Sequence, residues 1–425
     1  MNITQIYDVF KKSEGLSTDT RSIKDNQIFL ALKGDSFDGN QYADYALSKG
    51  ASYAIVDDQN VVKDDRYILV MDTLHTLQNL ANYHRNQFDI PVFAMTGSNG
   101  KTTTKELLAA VLEKKFNLSY TKGNLNNHIG VPLTLLDVTE QSEFALVEMG
   151  ANKIGDIREL CAIANPTHGL VTNVGIAHLE GFGSFEGVVK TKTELYDFLI
   201  NKDAITFYND EETILKENVA RSKSKIAFQD QHNKWDVSSD GTHGLVISNG
   251  VDEIVLRLTG SYNVSNVAAA ICVCNYFGVP FESIKERLEQ YEPTNNRSEV
   301  KQVGSNTVIM DAYNANPSSM KVAIENLSSK GGDKLVLLGD MFELGKYADA
   351  AHKEVVKQIE GFGIKGFLIG EEFVKASLDS SLVTAFQTKK EFLDFLKGVK
   401  IKNHTILVKG SRGMALENLI DSVFE

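Results

Sequence analysis

The stretch PVFAMTGSNGKTTTKEL, residues 91–107, decides how the rest of the chain is interpreted. The apolar run at 92–95 has the length of a buried strand, and apolar residues recur at helical spacing from 103 to 113. Strand, glycine loop, Lys-Thr pair and helix follow in the order that a phosphate-binding P-loop requires. The predicted nucleotide contacts are Gly97, Ser98, Asn99, Gly100, Lys101, Thr102 and Thr103.

The chemistry of this loop suits a nucleotide. Gly97 and Gly100 tolerate backbone angles that turn successive amides toward an anion, and the following helix N-terminus adds positive partial charge. Lys101 is expected to reach the outer phosphates, and the Thr102 hydroxyl is expected to bind Mg²⁺. The pattern G-x-x-x-x-G-K-[ST] has glycine where this chain has Met95, so the loop is a shortened variant. The alternative is an ordinary Gly-Lys turn.

Length and composition limit the classes of protein. A chain of 425 residues is expected to form two to four domains, and 42% hydrophobic residues suit a soluble globular protein. The formal net charge of −12 disfavours nucleic-acid binding as the main activity. Three cysteines without a CxxC pair, no signal-peptide pattern and no long apolar run favour a cytoplasmic protein without a membrane span.

The order of predicted elements indicates an α/β fold in three parts, which we call the first unit (1–88), the second unit (89–292) and the third unit (293–425). Strands are expected at 28–32, 53–56, 92–95, 144–149, 168–174, 203–208, 225–228, 307–311, 334–340, 366–370 and 405–410. Helices are expected at 41–49, 103–113, 262–274, 318–327, 348–360, 389–397 and 414–424. Alternation at 241–258 is typical of antiparallel strands, so we expect a mixed sheet in the second unit.

Four polar residues follow the P-loop in the second unit. Glu148 ends a predicted strand, where its carboxylate is placed either to bind Mg²⁺ or to act as a solvated cap. His178 lies in a loop after the next strand, and a histidine is an unusual ligand for Mg²⁺. Lys190 and Lys192 are expected on the exposed face of a helix, paired with nearby carboxylates.

Amide and charged side chains complete the candidate set. Asn263 and Asn266 lie three residues apart on one helix face, where they are placed to read an adenine edge, or, for Asn263, only to cap the helix. Polar residues at strand ends of the third unit suit an anionic ligand with a ribose or a cation. These are Arg297, Asp311, Asn314, Asn316, Lys409 and Arg412.

Taken together, these residues resemble the Mur ligase family over nearly the whole chain. The matching segments are STDTRSIKDNQIFLALKGDSFDGNQYA, TGSNGKTTTKE, TKGNLNNHIGVPLTLL, VEMGAN, TNVGIAHLEGFGS with TKTELY, GSYNVSNVAAA, NRSE, MDAYNANPSSM, LLGDMFELG and LVKGSRGMALE. The family's P-loop has the same short form, so Met95 fits it. GNLNNHIGVPLTLL and DAYNANPSSM resemble the member that adds D-alanyl-D-alanine, and the Asp-Asn-Pro-Arg motif of the diaminopimelate-adding member is absent.

The resemblance implies an N-terminal α/β UDP-binding domain, a central P-loop ATPase with a mostly parallel sheet, and a C-terminal Rossmann-like domain that closes over the nucleotide. It also implies the reaction. ATP phosphorylates the terminal carboxylate of UDP-N-acetylmuramoyl-tripeptide, and the amine of D-alanyl-D-alanine attacks the acyl phosphate to give an amide. Mg²⁺ and lysine offset the repulsion between these anions. A cytoplasmic monomer without nucleic-acid partners is expected.

Residue roles carried over from the family are expectations of the same kind. Lys101, Glu148, His178 and Lys192 are the expected catalytic set, and Thr102, Glu148, His178 and Lys192 the expected metal ligands. Lys192 corresponds to the family's carbamoylated lysine, with Lys190 as the alternative. Asn263 and Asn266 are assigned to the adenine side, and Arg297 and Asp311 to phosphate and ribose. The expected substrate contacts are Lys33, Asn126, Asn127 and Arg412.

Other functions stay open from the sequence. Within the fold, the chain is alternatively a ligase for a different amino acid or a folylpolyglutamate synthase-like enzyme. From another class, a P-loop regulator or motor would hydrolyse ATP without joining anything, and a third alternative is an inactive binding relative. The sequence does not determine whether the third residue of the tripeptide is lysine or diaminopimelate.

Overall fold

The structure, a computed structural model, describes residues 1–241, 244–293, 296–397, 399 and 401–423. Within the first unit, a four-stranded parallel sheet has the strand order Leu16–Ser17, Ile28–Leu30, Tyr53–Val56, Tyr67–Leu69. A short antiparallel pair joins Lys33–Gly34 to Phe37–Asp38. The helices are Ile3–Phe10, Ala43–Ser48 and Thr73–Arg85, with 3-10 turns at Gly39–Tyr42 and Gln59–Val61.

The last helix of the first unit, Thr73–Arg85, fixes this unit to the second. Its N-terminus is capped by the Asp72 side chain, which accepts from the His75 amide at 2.7 Å. At its C-terminus, the buried Arg85 donates to the carbonyls of Ala164, Phe88 and Asn165 at 3.0–3.2 Å. One continuous hydrophobic core, including Leu30, Leu77, Val92, Val131 and Leu160, therefore spans both units.

The second unit is built on a six-stranded sheet in which every pair of neighbours is parallel. The strand order is Lys225–Phe228, Ile205–Asn209, His168–Val171, Val92–Thr96, Phe144–Glu148, Leu118–Tyr120. The helices are Lys101–Leu112, Gly130–Leu136, Asp156–Ala164, Leu179–Phe182, Phe185–Asn201, Thr213–Asn218, Asn263–Tyr276 and Phe281–Gln290.

Two predictions for this unit need correction. The antiparallel strands near the end of the unit do form, but as a separate three-stranded sheet of Asp236–Gly241, Gly244–Ser248 and Glu253–Leu256, so the expected mixed sheet is wrong. The P-loop helix starts at Lys101 rather than at 103, because Gly100 at φ 78° already turns the chain into the helix.

The third unit is a doubly wound α/β unit, as predicted. Its six strands are ordered Glu299–Val303, Asn306–Met310, His404–Lys409, Asp333–Gly339, Lys365–Ile369, Val383–Phe386, and the first pair alone is antiparallel. The helices are Pro317–Ser329, Ala348–Gly361, Glu371–Ala376, Lys389–Phe395 and Ile420–Val423, with 3-10 turns at Gly345–Tyr347, Arg412–Met414 and Leu416–Leu419. The prediction of a continuous helix at 414–424 is wrong, because the chain forms 3-10 turns up to residue 419 and an α-helix only from Ile420. Residue 424 lies outside the described residues.

In the described residues, no helix is both long and apolar enough to span a bilayer.

Candidate active site

A cavity of about 1000 Å³ lies between the second and third units, at the carboxyl ends of the parallel strands of both sheets. This is where open parallel sheets place ligands. Most of the predicted site residues line it: Ser98, Asn99, Gly100, Lys101, Thr102, Thr103, Asn126, Glu148, His178, Asn263, Asn266, Arg297, Asp311 and Arg412.

The two P-loop glycines lie where larger residues do not fit. Gly97 has φ 149°, and a Cβ there would lie 2.0 Å from Oγ1 of Thr172. Gly100 has φ 78°, and a Cβ there would lie 2.3 Å from Oδ1 of Asn266. The neighbouring strand end supports the loop, because Asn173 accepts from the amides of Ser98 and Asn99 at 3.0 Å. The fit of the two glycines and these hydrogen bonds therefore hold the loop in its shape.

Lys101 folds back over the P-loop. Its Nζ donates to the carbonyls of Gly97 at 2.6 Å and Ser98 at 3.3 Å. Burial lowers the pKa of the Lys101 ammonium, although the nearby charge of Glu148 opposes this effect. A phosphate anion offers a better partner than two neutral carbonyls, so the ammonium is ready to exchange them for the outer phosphates.

Glu148 is the carboxylate at the centre of the site and is 1% exposed, so the solvated cap is excluded. Its Oε1 accepts from the Thr102 hydroxyl at 3.1 Å and from the Asn126 amide at 2.8 Å. Its buried Oε2 has no hydrogen-bond partner among the described residues, and Nζ of Lys105 is 4.0 Å away. An unpaired buried carboxylate oxygen is costly unless a cation completes it.

These donors fit the Mg²⁺ that the family implies. The Thr102 hydroxyl and Glu148 carboxylate are hard oxygen ligands, and Mg²⁺ prefers oxygen. The described residues contain no group of three His, Cys, Asp or Glu side chains able to hold a metal. Protein groups and nucleotide phosphates would therefore have to share the coordination, which is usual for Mg²⁺.

Lys190 and Lys192 lie on the same helix, Phe185–Asn201, but in different environments. Lys190 is exposed, as expected, whereas Lys192 is 1% exposed, so its prediction as a solvated residue is wrong. Burial, and next the charge of Lys101, hold the pKa of the Lys192 amine well below its ordinary value. The Phe182 ring centre lies 5.4 Å from its Nζ. Lys192 is not among the residues lining the cavity.

His178 lies at the start of the short helix Leu179–Phe182, in the left-handed region at φ 50°. Its Nδ1 contacts the carboxylate of Glu343, which belongs to the third unit. The interaction with His178 is the main cause that lowers the pKa of Glu343. Both residues line the cavity. Glu343 is a site residue that the sequence analysis missed, although the segment LLGDMFELG contains it.

Asn263 and Asn266 form a buried chain of amides beside the P-loop. Asn263 Nδ2 donates to the Thr259 carbonyl at 2.7 Å, and Asn266 Nδ2 donates to Asn263 Oδ1 at 2.9 Å. The Thr104 hydroxyl donates to Asn266 Oδ1 at 3.2 Å. In the described residues, the Asn263 side chain does not cap the helix, because it accepts no hydrogen bond from a helix backbone amide. These hydrogen bonds fix the side chains of Asn263 and Asn266 at the cavity wall.

Charged residues of the third unit form the opposite wall. Asp311 accepts from Nζ of Lys409 at 2.6 Å, and Lys409 is 2% exposed. The Arg297 guanidinium lies 3.6 Å from the Tyr313 ring centre, and its buried Nε has no hydrogen-bond partner in the part of the chain that the structure describes. Arg412 pairs with Glu417 at 2.5 Å. The unpaired Nε of Arg297 is a donor available to an anion.

Two predicted substrate residues, Lys33 and Asn127, do not line this cavity. Lys33 pairs with Asp57 at 2.8 Å in the first unit. Asn127 is exposed, and its Oδ1 accepts from the amides of Ile129 at 3.1 Å and Gly130 at 2.9 Å, which gives it a local structural role at a helix start.

Fold and site together define a nucleotide-binding α/β protein whose P-loop faces a second α/β unit across a polar cavity. The descriptions that match are "Mur ligase family, catalytic domain" for residues 12–93, "Mur ligase middle domain" for 95–274 and "Mur ligase, glutamate ligase domain" for 296–412. The chain belongs to the Mur ligase family.

Individual relatives match nearly the whole length of the chain. The UDP-N-acetylmuramoyl-tripeptide–D-alanyl-D-alanine ligase of Bacillus subtilis is 35% identical, covering 97% of this chain and 93% of its own. The crystal structure of MurF from Acinetobacter baumannii is similar with a TM-score of 0.89 at 28% identity. The match covers 99% of this chain and 98% of the other. The crystal structure of MurF ligase from Thermotoga maritima in complex with ADP is similar with a TM-score of 0.86 at 26% identity, and the match covers 98% of each chain.

Proposed function

We propose that this protein is an ATP-dependent ligase that joins D-alanyl-D-alanine to UDP-N-acetylmuramoyl-tripeptide in cytoplasmic peptidoglycan precursor synthesis, releasing ADP and phosphate. The observation that carries the proposal is that a P-loop and the buried carboxylate of Glu148 lie together at one cavity. The names of the relatives support the substrates. The three units, bounded as 1–88, 89–292 and 293–425, are proposed as its domains.

The reaction begins at the peptide's terminal carboxylate. One carboxylate oxygen forms a bond to the γ-phosphorus of ATP while the bond from phosphorus to ADP breaks. The amine of D-alanyl-D-alanine then attacks the carbonyl carbon, and the tetrahedral intermediate releases inorganic phosphate and a proton. A carboxylate is a poor electrophile until its oxygen becomes a phosphate leaving group, so the first step makes the second possible.

The chain's own residues hold the reacting anions together. Lys101 leaves its loop carbonyls to bind the outer phosphates, and the buried Arg297 Nε supplies a donor from the third unit. Asn263 and Asn266 contact the adenine, and Asp311 the ribose. Bound Mg²⁺, held by Thr102, Glu148, His178 and Lys192, would neutralise charge on the transferring phosphoryl group.

Lys192 takes its proposed role as a carbamate. A carbamate carries a negative charge and two oxygens, so it converts a cation into a hard-metal ligand. It forms from dissolved CO₂ on the neutral amine, and the lowered pKa of Lys192 raises the neutral fraction. The exposed Lys190 lacks this burial, which favours Lys192 as the modified residue.

The outer parts of the substrate are assigned to the rest of the site. Asn126 and Arg412 line the cavity and are proposed to face the peptide and the incoming dipeptide. Lys33 lies in the first unit with the UDP end, where it would exchange Asp57 for an anionic group of the substrate. Asn127 is proposed to contact the muramoyl-peptide through its side-chain amide nitrogen, since its hydrogen bonds at the helix start use Oδ1.

A substrate panel tests the proposal. ADP release and product mass are measured with each substrate alone, with both together, and with single amino acids in place of the dipeptide; peptides ending in lysine and in diaminopimelate are compared. We expect ADP release that needs both substrates and a product joined by loss of water. ATP hydrolysis independent of both would instead indicate a regulator or motor, and preference for a single amino acid would indicate a different ligase.

A further inference from the structure

The contact between His178 and Glu343 joins two units across the cavity. Nδ1 of His178 in the second unit contacts the carboxylate of Glu343, which follows the strand Asp333–Gly339 of the third unit. The proposed reaction assigns a role to His178 but none to Glu343. A carboxylate placed against the second nitrogen of a ligand histidine has a recognised chemical effect, because it determines which ring nitrogen carries the proton.

The backbone holds this contact from both sides. The amide of Glu180 donates to the carbonyl of Glu343 at 3.2 Å. His178 has φ 50° and Glu343 has φ 61°, and such left-handed angles are uncommon for residues other than glycine. Gly345 lies beside Glu180 at φ 52°, a left-handed angle that favours glycine. The backbone conformations of the two residues therefore bring their side chains into contact.

We propose that Glu343 is a positioning residue that accepts a hydrogen bond from Nδ1–H of His178 when the third unit is docked, leaving Nε2 as the unprotonated ring nitrogen. In a neutral imidazole one nitrogen is a donor and the other an acceptor or ligand. The inference rests on the proposed function, in which His178 is a cation ligand. Docking of the third unit then completes a ligand in the second unit, which couples closure to assembly of the site.

The tautomer of His178 tests this positioning without any activity measurement. The full, metal-free chain is labelled with ¹⁵N-histidine and examined by NMR at about pH 8, where an ordinary imidazole is neutral. His178→Gln identifies the signal. We expect the wild-type proton on Nδ1 and a changed tautomer distribution in Glu343→Ala. The matched control is Glu180→Ala, which removes an exposed carboxylate at the same interface and should leave the signal unchanged. A wild-type proton on Nε2, or no change in Glu343→Ala, would overturn the proposal.

A double-mutant cycle gives the second readout. Glu343→Ala should lower kcat about 10- to 100-fold, as loss of a group behind a metal ligand does. Glu343→Gln keeps an acceptor oxygen and should restore most of kcat. In a His178→Ala background, Glu343→Ala should cost less than about twofold more, because the residue acts through His178. Additive losses would refute positioning through His178. A wild-type protein that joins no substrates would refute the ligase function instead, and the tautomer would still decide the role of Glu343.

Discussion

Replacing Lys192 by alanine is expected to reduce ligation about 10²- to 10³-fold while the protein remains folded. The reason is charge. An unmodified lysine would bring an ammonium toward a bound cation, whereas a carbamate brings two anionic oxygens. Removing a fixed electrostatic group from a buried site costs about 3–4 kcal/mol of transition-state stabilisation, which corresponds to this loss in kcat.

The environment of Lys192 explains why this position suits the modification. An ordinary lysine with a pKa of about 10.4 has only about 0.4% neutral amine at pH 8. At Lys192, burial to 1% exposure and the charge of Lys101 lower the pKa, and each lowering by one increases the neutral fraction about tenfold. Carbamate formation at Lys192 is thus favoured over formation at the exposed Lys190, two residues earlier.

Steady-state ligation assays compare wild type, Lys192→Ala and the matched control Lys190→Ala. Lys190→Ala should stay within about twofold of wild type, since exposed substitutions have small effects. Short-chain carboxylic acids should partly restore Lys192→Ala, because they can place an oxygen pair in the vacated space. If Lys190→Ala is the inactive variant, the modified residue is Lys190. If both variants keep full activity, the reaction needs no carbamate and the assignment is wrong.

Replacing Lys192 by an apolar residue should lower activity but should not lower the thermal stability of the protein at neutral pH. The folded pKa of Lys192 is lowered, so at pH values between it and the ordinary pKa of lysine the unfolded chain binds more protons than the folded one. Unmodified Lys192 therefore reduces stability at neutral pH, and this effect fades as pH rises through that window. In CO₂-depleted buffer, Lys192→Met should be at least as stable as wild type at pH 7, with the difference shrinking toward pH 10. A large loss of Tm at pH 7 would contradict this reasoning.

Three further predictions concern the rest of the site. Lys101→Ala should abolish ligation with an unchanged circular dichroism spectrum, because this lysine is a charge contact of the loop; turnover at the wild-type rate would remove it from the mechanism. Lys409→Met should lower the free energy of unfolding by about 3 kcal/mol in denaturant titrations, since it leaves Asp311 without its 2.6 Å partner; an unchanged midpoint would show the pair to be dispensable. A non-hydrolysable nucleotide with the UDP-peptide should reduce the radius of gyration in small-angle scattering through rotation about a hinge near residue 293, and an unchanged radius would count against domain closure.

Features that depend on local chemistry were predictable from the sequence. The P-loop needs glycines, a Lys-Thr pair and a strand–helix context within a few residues, and the structure has this arrangement from Val92–Thr96 to Lys101–Leu112. The strand ends that carry Glu148 and Asp311 were also predictable, because short apolar runs bounded by polar residues are typical of buried parallel strands. The sequence did not predict which sheet the antiparallel strands near residue 250 belong to. Alternation of apolar and polar residues indicates the geometry of strand pairing but does not identify the partner strand.

The sequence after Lys192 contains a helical pattern of apolar residues that indicates burial, although lysine is usually exposed. Leu195, Tyr196 and Leu199 follow it at i+3, i+4 and i+7, which is the spacing of one helix face, and all three are buried. Lys190 lies outside this series. The general tendency of lysine to be exposed competed with the periodicity, and the periodicity gave the correct burial. Glu343 had no comparable signal, because its importance comes from a left-handed backbone angle and a partner in another unit.

The distribution of the cores indicates which boundary moves during a reaction cycle. The first and second units share one continuous hydrophobic core, so separating them would expose apolar surface. The third unit has its own clusters on both sides of its sheet, and Tyr347 is a side chain of this unit that also packs against the shared core. Much of its contact with the second unit is polar, including Asn316 to Asn99 at 2.9 Å and the Ile176 amide to Ser318 at 2.7 Å.

Polar contacts exchange for water at little net free energy, whereas apolar separation does not, so opening is expected between the second and third units. Asn99 belongs to the P-loop, and Glu343 contacts His178 at the same boundary. The contacts that close the molecule therefore lie on the residues assigned to phosphates and cation. On this arrangement, an open molecule lacks both the Arg297 donor and a fixed His178 ring. Phosphoryl transfer, including transfer to water, is therefore expected to be slow in an open molecule.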